Sequence, residues 1–329
     1  RAIAPPPDEV RAVEKTATST GGPAAGAIDQ LDRLLRHLAA SVDQPSLAAV
    51  ELAKETVTLH LGEPADLPAP WQGSGREWSA PLDAPIDDAD VLPPYPLLAS
   101  VGQDDDGHLW LLDLERLGTV DVTGAPDHGL ALARHVAAEL ALSPWSRIAQ
   151  VDTIDVAGEL VALDPVRLRH HRADGEPFLA RLRAEIQTAL EAGHGDPEPF
   201  HALLLGRAVD SDAVRALVEL IRSQQSRSGL AVVRLGTDEP DGVVLDLTAD
   251  GRLRVPDLAL DVTAAGLSSD EAAACAAIVD LTRDATVVPM PRHEEASGWR
   301  AYADHAGGLV EDLTEPRPPG AAGPRSLLP

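Results

Sequence analysis

The sequence predicts an α/β fold: a mostly parallel sheet with helices on both faces, preceded by a small α+β element. Three observations predict it. From Pro96 to about residue 290, short apolar strands alternate with stretches of helical periodicity, the pattern that strand–helix–strand units produce. Before Pro96 the pattern is instead one helix, two short strands and a Pro- and Asp-rich stretch. Hydrophobic residues make up 44% of the 329 residues but aromatics only 3%, so the core is built from Leu, Val and Ala.

Residues 1–25 are rich in Pro, Ala, Thr and Gly without periodicity and read as a flexible linker. Over 27–42, Ile28, Leu31, Leu34, Leu35, Leu38 and Val42 fall at helical spacing. Two strands follow, Leu47 to Leu52 and Thr56 to Leu61. In the second, Val57, Leu59 and Leu61 alternate with Thr58 and His60, which makes His60 an outward-facing residue and not a ligand. Residues 62–96 read as a connector anchored by Trp71 and Trp78 either side of Gly73-Ser74-Gly75, or as an irregular hairpin. Residues 26–95 thus form a small subdomain with its connector.

The α/β domain is expected over 96–290. Its strands are Leu97 to Val101, His108 to Leu114, Thr119 to Thr123, Val151 to Val156, Phe200 to Leu205, Leu230 to Leu235, Val243 to Leu247, Leu253 to Val255 and Leu258 to Val262. Its helices run from about Leu130 to Leu142, Phe178 to Ala192, Asp212 to Ser223 and Ser269 to Leu281, the last capped by Ser268 or Ser269 with Glu271 in its first turn. Asp104-Asp105-Asp106-Gly107 reads as a hairpin turn, since it lacks the ligand spacing and closing Glu of a calcium loop. Residues 291–329 lose all periodicity and read as a disordered Pro-rich tail. With no initial Met and this ending, the chain reads as a piece of something longer.

A net charge of −26 and the absence of any Lys/Arg run of five argue against direct binding of nucleic acid; solubility explains the acidity. Lys15 and Lys54 are the only lysines. Cys275, alone in a helical Ala-rich run, makes no disulfide or thiolate metal site and reads as a small buried hydrophobe. No stretch approaches 18 apolar residues, so no membrane span is expected.

One motif carries possible chemistry. Thr119-Val-Asp-Val-Thr-Gly124 leads through Ala-Pro-Asp-His to Gly129-Leu130-Ala131. Two glycines across a four-residue gap, between a strand and a helix, are the frame of a phosphate-binding loop. That chemistry needs a Lys for the β- and γ-phosphates and a Ser or Thr hydroxyl for Mg²⁺; Leu130 and Ala131 stand there. The core strand Ala202–Leu205 runs into Gly206-Arg207, with no acidic residue to hold a metal, and Asp155 is a weak substitute. Gly124, Gly129, Leu130 and Ala131 are therefore expected to form a vestigial phosphate loop, serving a tight turn and close packing. No catalytic residue, cofactor or metal is expected, and the chain is expected not to be an enzyme. Among the other candidates, His170-His171 reads as surface loop, His194 and His201 as structural, and His128 as a loop residue without a catalytic partner.

The run from Gly107 to Gly124 resembles the entry to the motor domain of FtsK-type and type VII secretion ATPases. A closer resemblance is to the central cytoplasmic region of large actinobacterial membrane proteins that carry LysM and bacterial transcriptional activator domains. It rests on Pro94-Tyr-Pro-Leu-Leu98, Leu111-Leu-Asp-Leu-Glu115, Ala138 through Ser143-Pro144-Trp145, Gly158-Glu-Leu160, Leu163-Asp-Pro165 and Asp250 through Pro256, and covers 27–290. It implies a cytoplasmic segment of a membrane-anchored transcriptional or signalling regulator; with the vestigial loop, the chain is expected to be a pseudo-ATPase that serves as an interaction or sensory module through protein partners or self-association. The membrane would be reached only through parts outside this chain. Two other functions follow from the same residues: an FtsK-like nucleotide-binding ATPase, or a small-molecule sensor that uses the vestigial phosphate pocket.

Overall fold

The computed structural model describes residues 2–3, 25–172, 175–191, 200–207, 209, 211–223, 228–237, 239–283 and 287–288. The expected linker over 1–25 and tail over 291–329 lie outside these residues, apart from Ala2, Ile3 and Ala25. The chain divides into two compact units. One is formed by residues 1–5 with 285–329, in which Ala2–Ile3 (β1) pairs antiparallel with Val287–Val288 (β16). The other, Pro6–Asp284, carries everything described below.

It opens with helix α1 (Ala25–Ser41), whose Leu31, Leu34, Leu35 and Leu38 are buried as their spacing requires. Strands β2 (Leu47–Leu52) and β3 (Thr56–Leu61) keep the expected bounds. Between 62 and 96 the irregular hairpin is realised as β4 (Gln72–Ser74) and β5 (Glu77–Pro81) around Gly75. Trp71 and Trp78 are both buried there, and Trp78 Nε1 donates to the Ala65 carbonyl at 3.1 Å. Then come β6 (Leu98–Gln103), β7 (Leu109–Asp113), the short α2 (Leu114–Leu117) and β8 (Thr119–Gly124).

Helix α3 spans Pro126–Leu142 and starts four residues before the expected Leu130. Proline explains the early start, because its preset φ suits the first helical position and its missing N–H has no partner there anyway. Strands β9 (Ala149–Ile154) and β10 (Leu168–His171) follow, so His170 and His171 lie on a strand and not in a surface loop. Helix α4 (Glu176–Glu191), β11 (Phe200–Leu205), α5 (Asp212–Ser223), β12 (Leu230–Leu235), β13 (Val243–Leu247), β14 (Arg252–Val255), β15 (Leu260–Ala264) and α6 (Ser269–Arg283) complete the unit. Ser268 and Glu271 form a reciprocal capping box on α6, with Glu271 N to Ser268 Oγ at 3.3 Å and Ser268 N to Glu271 Oε2 at 2.9 Å.

The sheet order is β10-β9-β11-β12-β8-β13-β14-β15-β6-β7-β2-β3-β5-β4. From β10 to β13 all neighbours are parallel; from β13 to β4 all are antiparallel. The expectation of a mostly parallel sheet is therefore corrected to a mixed one. The reason is connection length: the turns at 104–107 and 248–251 are too short for a crossover, so they join antiparallel neighbours. The strands of the expected small α+β element are continuous with this sheet through the β2–β7 ladder.

Helices cover both faces of the parallel half. Leu132, Val136 and Leu140 of α3 pack on one face with Val120, Val151 and Leu204. Phe178 and Leu182 of α4 and Leu217 of α5 pack on the other with Leu203, Leu205 and Val232. A separate core joins α1 to Val50, Leu59, Trp78 and Leu111 of the antiparallel half.

Candidate functional site

The first parallel strand in sequence, β8, lies inside the sheet between β12 and β13. The chain leaves it through α3 to one side and returns later to the other, and ligands of open α/β sheets bind at the carboxyl ends of the strands at such a switch point. The predicted phosphate loop sits there. Gly124 ends β8 with φ +82°, and a Cβ on it would lie 2.0 Å from the Leu247 carbonyl oxygen. Ala125 N donates to that same oxygen at 2.8 Å. Gly124 thus serves the tight turn the sequence assigns to it.

Gly129, by contrast, does not close a loop. It is buried in the first turns of α3, its N–H bonded to the Ala125 carbonyl, and a Cβ on it would lie 3.4 Å from Val122 Cγ1. Leu130 packs against the core, and Ala131 lies under Gly266 with its carbonyl accepting from Leu267 N at 2.9 Å. The four-residue gap is therefore an extended N-cap, Ala125, and the first three residues of the helix, and no eight-residue cradle wraps around a phosphate. Asp127 in the first turn is exposed.

Asp155 follows β9, with Gly206 packed against its carbonyl oxygen. It stands three strands from β8, about 14 Å at ~4.8 Å per strand, too far to share a ligand with α3. Arg207 is nearer. A Cβ at Gly236 would lie 2.6 Å from Arg207 Nε, and Gly236 N donates to Val122 O at 2.8 Å, so this guanidinium lies one strand from β8. Sequence reasoning took Gly206-Arg207 only as a missing acid. A basic residue straight after a core strand is the signal that was available.

A second polar cluster lies at the parallel edge. Asp152 is wholly buried and accepts from Arg169 Nε at 3.0 Å and Nη2 at 3.1 Å, with His171 Nε2 at 2.8 Å and His201 Nδ1 at 3.5 Å. Burial pushes its carboxyl up, but His201 beside it and hydrogen bonds from His171 and Arg169 outweigh this and hold it below the ordinary value. His171 stacks on Phe178 at 3.7 Å between ring centroids. The arrangement pins β10 to the sheet. His170 turns to the other face and meets Thr153 Oγ1 at 2.9 Å. His128 packs near Gly251, and His194 lies outside the described residues. The Cys275 thiol is pushed up by burial and by the Glu271 carboxylate, away from nucleophilic character.

Two clefts open elsewhere. The larger, about 650 Å³, lies at the amino edge of β8 and β13, among Tyr95, Asp113, Glu115, Arg116 and Asp241. Its buried acids serve the backbone: Asp113 accepts from Glu115 N and Glu115 from Gly229 N. The other lies between α4 and α5.

No family model matches the chain, and no curated protein matches it. Solved structures do match. ATPases 2 and 3 of EccC from Thermomonospora curvata, in complex with a signal sequence peptide, are 15% identical over 53% of this chain and 41% of that one, with a TM-score of 0.41. ATPases 2 and 3 of EssC from Geobacillus thermodenitrificans are 14% identical over 63% and 52%, with a TM-score of 0.41. The pCW3 conjugation coupling protein TcpA, a monomer form with ATPgS, is 15% identical over 72% and 92%, with a TM-score of 0.36. The chain spans less than half the length of the EccC structure it matches.

The expectation that the chain is not an enzyme is corrected beside this finding: the EccC and EssC structures it is similar to are described as ATPases. That expectation rested on Leu130, Ala131 and the lack of an acidic residue after Leu205, and inactivity does not follow from three missing side chains. Nothing among these matches bears on a LysM or transcriptional activator context. No helix of the described residues is long and apolar enough to cross a membrane.

Proposed function

We propose that this chain is an FtsK-like, nucleotide-binding ATPase-type domain whose ligand sits at the carboxyl edge of the parallel half. The observation that carries the reading is the place of β8: an internal strand at the switch point of the sheet, running through Gly124 straight into the N-terminus of α3. A helix N-terminus offers unpaired N–H groups and a partial positive charge to a phosphate. Ala125 caps α3 with no side-chain hydrogen bond, so no side chain competes for those groups. Arg207 adds the cation that Leu130 does not supply.

Titration with a fluorescent ATP analogue and Mg²⁺, with phosphate release measured in parallel, tests the reading. Saturable binding that Arg207→Ala weakens by about tenfold, the worth of one charge-assisted hydrogen bond, is the expected result. Absence of binding at millimolar nucleotide sinks it.

A second reading is favoured by one observation, that Gly129, Leu130 and Ala131 are packed into helix and core. It is an interaction module that binds a protein partner or a second copy within a larger assembly, including the membrane-anchored regulator that the sequence resembles.

A further inference from the structure

Strands β2, β3 and β7 lie side by side in the antiparallel half. Glu51 on β2 stands opposite Trp110 on β7 and Thr58 on β3. Residues two apart on a strand share a face, so His60, two after Thr58, and His108, two before Trp110, flank Glu51 on the face away from α1. The turn at Asp104 closes the same corner. His108 Nδ1 is 2.7 Å from Glu51 Oε1 and 3.5 Å from Asp104 Oδ2, and His60 Nε2 is 3.6 Å from Glu51 Oε2. Ligand atoms of Glu51, Asp104 and His108 all lie within 4.8 Å of one another.

Two independent features point the same way. The Asp104 carboxylate is oriented from behind: Oδ1 accepts from Asp106 N at 3.0 Å and His108 N at 2.9 Å, and Oδ2 accepts from Trp110 Nε1 at 3.0 Å. Such outer hydrogen bonds aim the ligands of metal sites. His60 stacks on Trp110 with ring centroids 5.0 Å apart, and its Nε2 is buried, faces Glu51 and has no hydrogen-bond partner. A buried ring nitrogen left without a partner costs free energy unless something fills the gap.

We propose that Glu51, Asp104 and His108, with His60 beside Glu51 at the margin, form a binding site for a divalent transition-metal cation of the zinc type. The donor set decides the class. Mixed imidazole and carboxylate ligands suit zinc and its neighbours, whereas calcium and magnesium take oxygen alone. Bonds of about 2.0 Å in a tetrahedral shell put ligand atoms roughly 3.3 Å apart, close to the 3.5 and 3.6 Å separations found here. The 2.7 Å Glu51–His108 hydrogen bond is the contact the cation replaces, with Nδ1 bound to the cation and the ring N–H carried on Nε2. The bound cation would tie β2, β3 and the 104–108 turn together.

Zinc chloride titrated into the whole chain, with cobalt as a spectroscopic substitute, tests the proposal. The expected result is one saturable site, visible d–d absorption from cobalt, and a melting temperature that rises with free metal. Glu51→Gln and His108→Ala should each weaken binding by about 100-fold, and Trp110→Phe, which removes the N–H behind Asp104 but keeps an aromatic ring beside His60, by about tenfold. His37→Ala on α1 should change nothing. If His108→Ala misfolds by circular dichroism, Glu51→Gln and Trp110→Phe decide. Diffuse binding that calcium competes equally, or binding untouched by these substitutions, would assign the metal to the acidic surface and overturn the proposal.

Discussion

Asp121→Ala should be among the most damaging single substitutions in the parallel half. Asp121 is wholly buried on β8. Its two oxygens accept from Arg234 Nε at 2.7 Å and Nη2 at 2.8 Å, from Asp241 N at 2.8 Å and from Gly242 N at 2.7 Å. It therefore pairs a mostly buried guanidinium on β12 and fixes the turn that starts β13. Truncation to Ala leaves Arg234 with Asp241, a half-exposed partner, and leaves both backbone N–H groups without theirs. Breaking a buried pair from one side costs about 3–5 kcal/mol, and each orphaned N–H about 1 kcal/mol or more. Asp241 retains part of the pairing, so the lower end applies and, with the two N–H groups, the expected loss is about 5 kcal/mol. Urea unfolding followed by tryptophan fluorescence measures it as a fall in midpoint at constant slope. Arg252→Ala, at an exposed pair with Asp105 and Asp261, is the control and should leave the midpoint unchanged. A loss below about 1.5 kcal/mol for Asp121→Ala would refute the claim that this carboxylate organises the β8–β12–β13 junction.

Other outcomes follow from the same structure. Gly124 and Gly107 share φ +82°, but a Cβ at Gly107 meets open space while one at Gly124 meets Leu247 O at 2.0 Å. Gly124→Ala should therefore cost at least about 2 kcal/mol more than Gly107→Ala, and equal melting temperatures would contradict this. Burial raises the carboxyls of Asp152, Asp164 and Asp241, but hydrogen bonds and nearby arginines or histidines leave all three below the unfolded value of about 3.9. Their stabilisation is complete above that value and is lost as pH falls through the lower folded values. Melting temperature should hold down to about pH 4.5 and then drop, less steeply in Asp152→Asn; a flat profile to pH 3 counts against it. Cys275, pushed up by burial and Glu271, should react with a disulfide reagent at neutral pH more slowly than free cysteine, and faster once the chain is unfolded in urea. Equal rates in both states would contradict the half-buried setting.

Local order was legible in the amino-acid sequence, and pairing was not. The alternation in Thr56–Leu61, the apolar run of Phe200–Leu205 and the cap of Ser269–Arg283 set those elements without reference to the rest of the chain, because side-chain periodicity and capping act over two to four residues. The early start of α3 was also written locally, in Pro126 at its first position; the glycine spacing of the loop motif drew the boundary to Leu130 instead. The one-residue alternation that correctly turned His60 outward could say nothing of what it would meet there. Glu51 and His108 are 57 residues apart in sequence, and Arg207 comes to lie over Gly236 from another strand. Such neighbours depend on which strands pair and in what register, and that is settled by closing long loops around a common core. The sequence by itself therefore determined an α/β chain with a glycine turn and a helix N-terminus at the end of β8. Only the tertiary structure decided that the sheet is half antiparallel, that the motif's second glycine is helix, and that a histidine read as a plain surface residue faces a carboxylate beside a second histidine and a rigidly held aspartate.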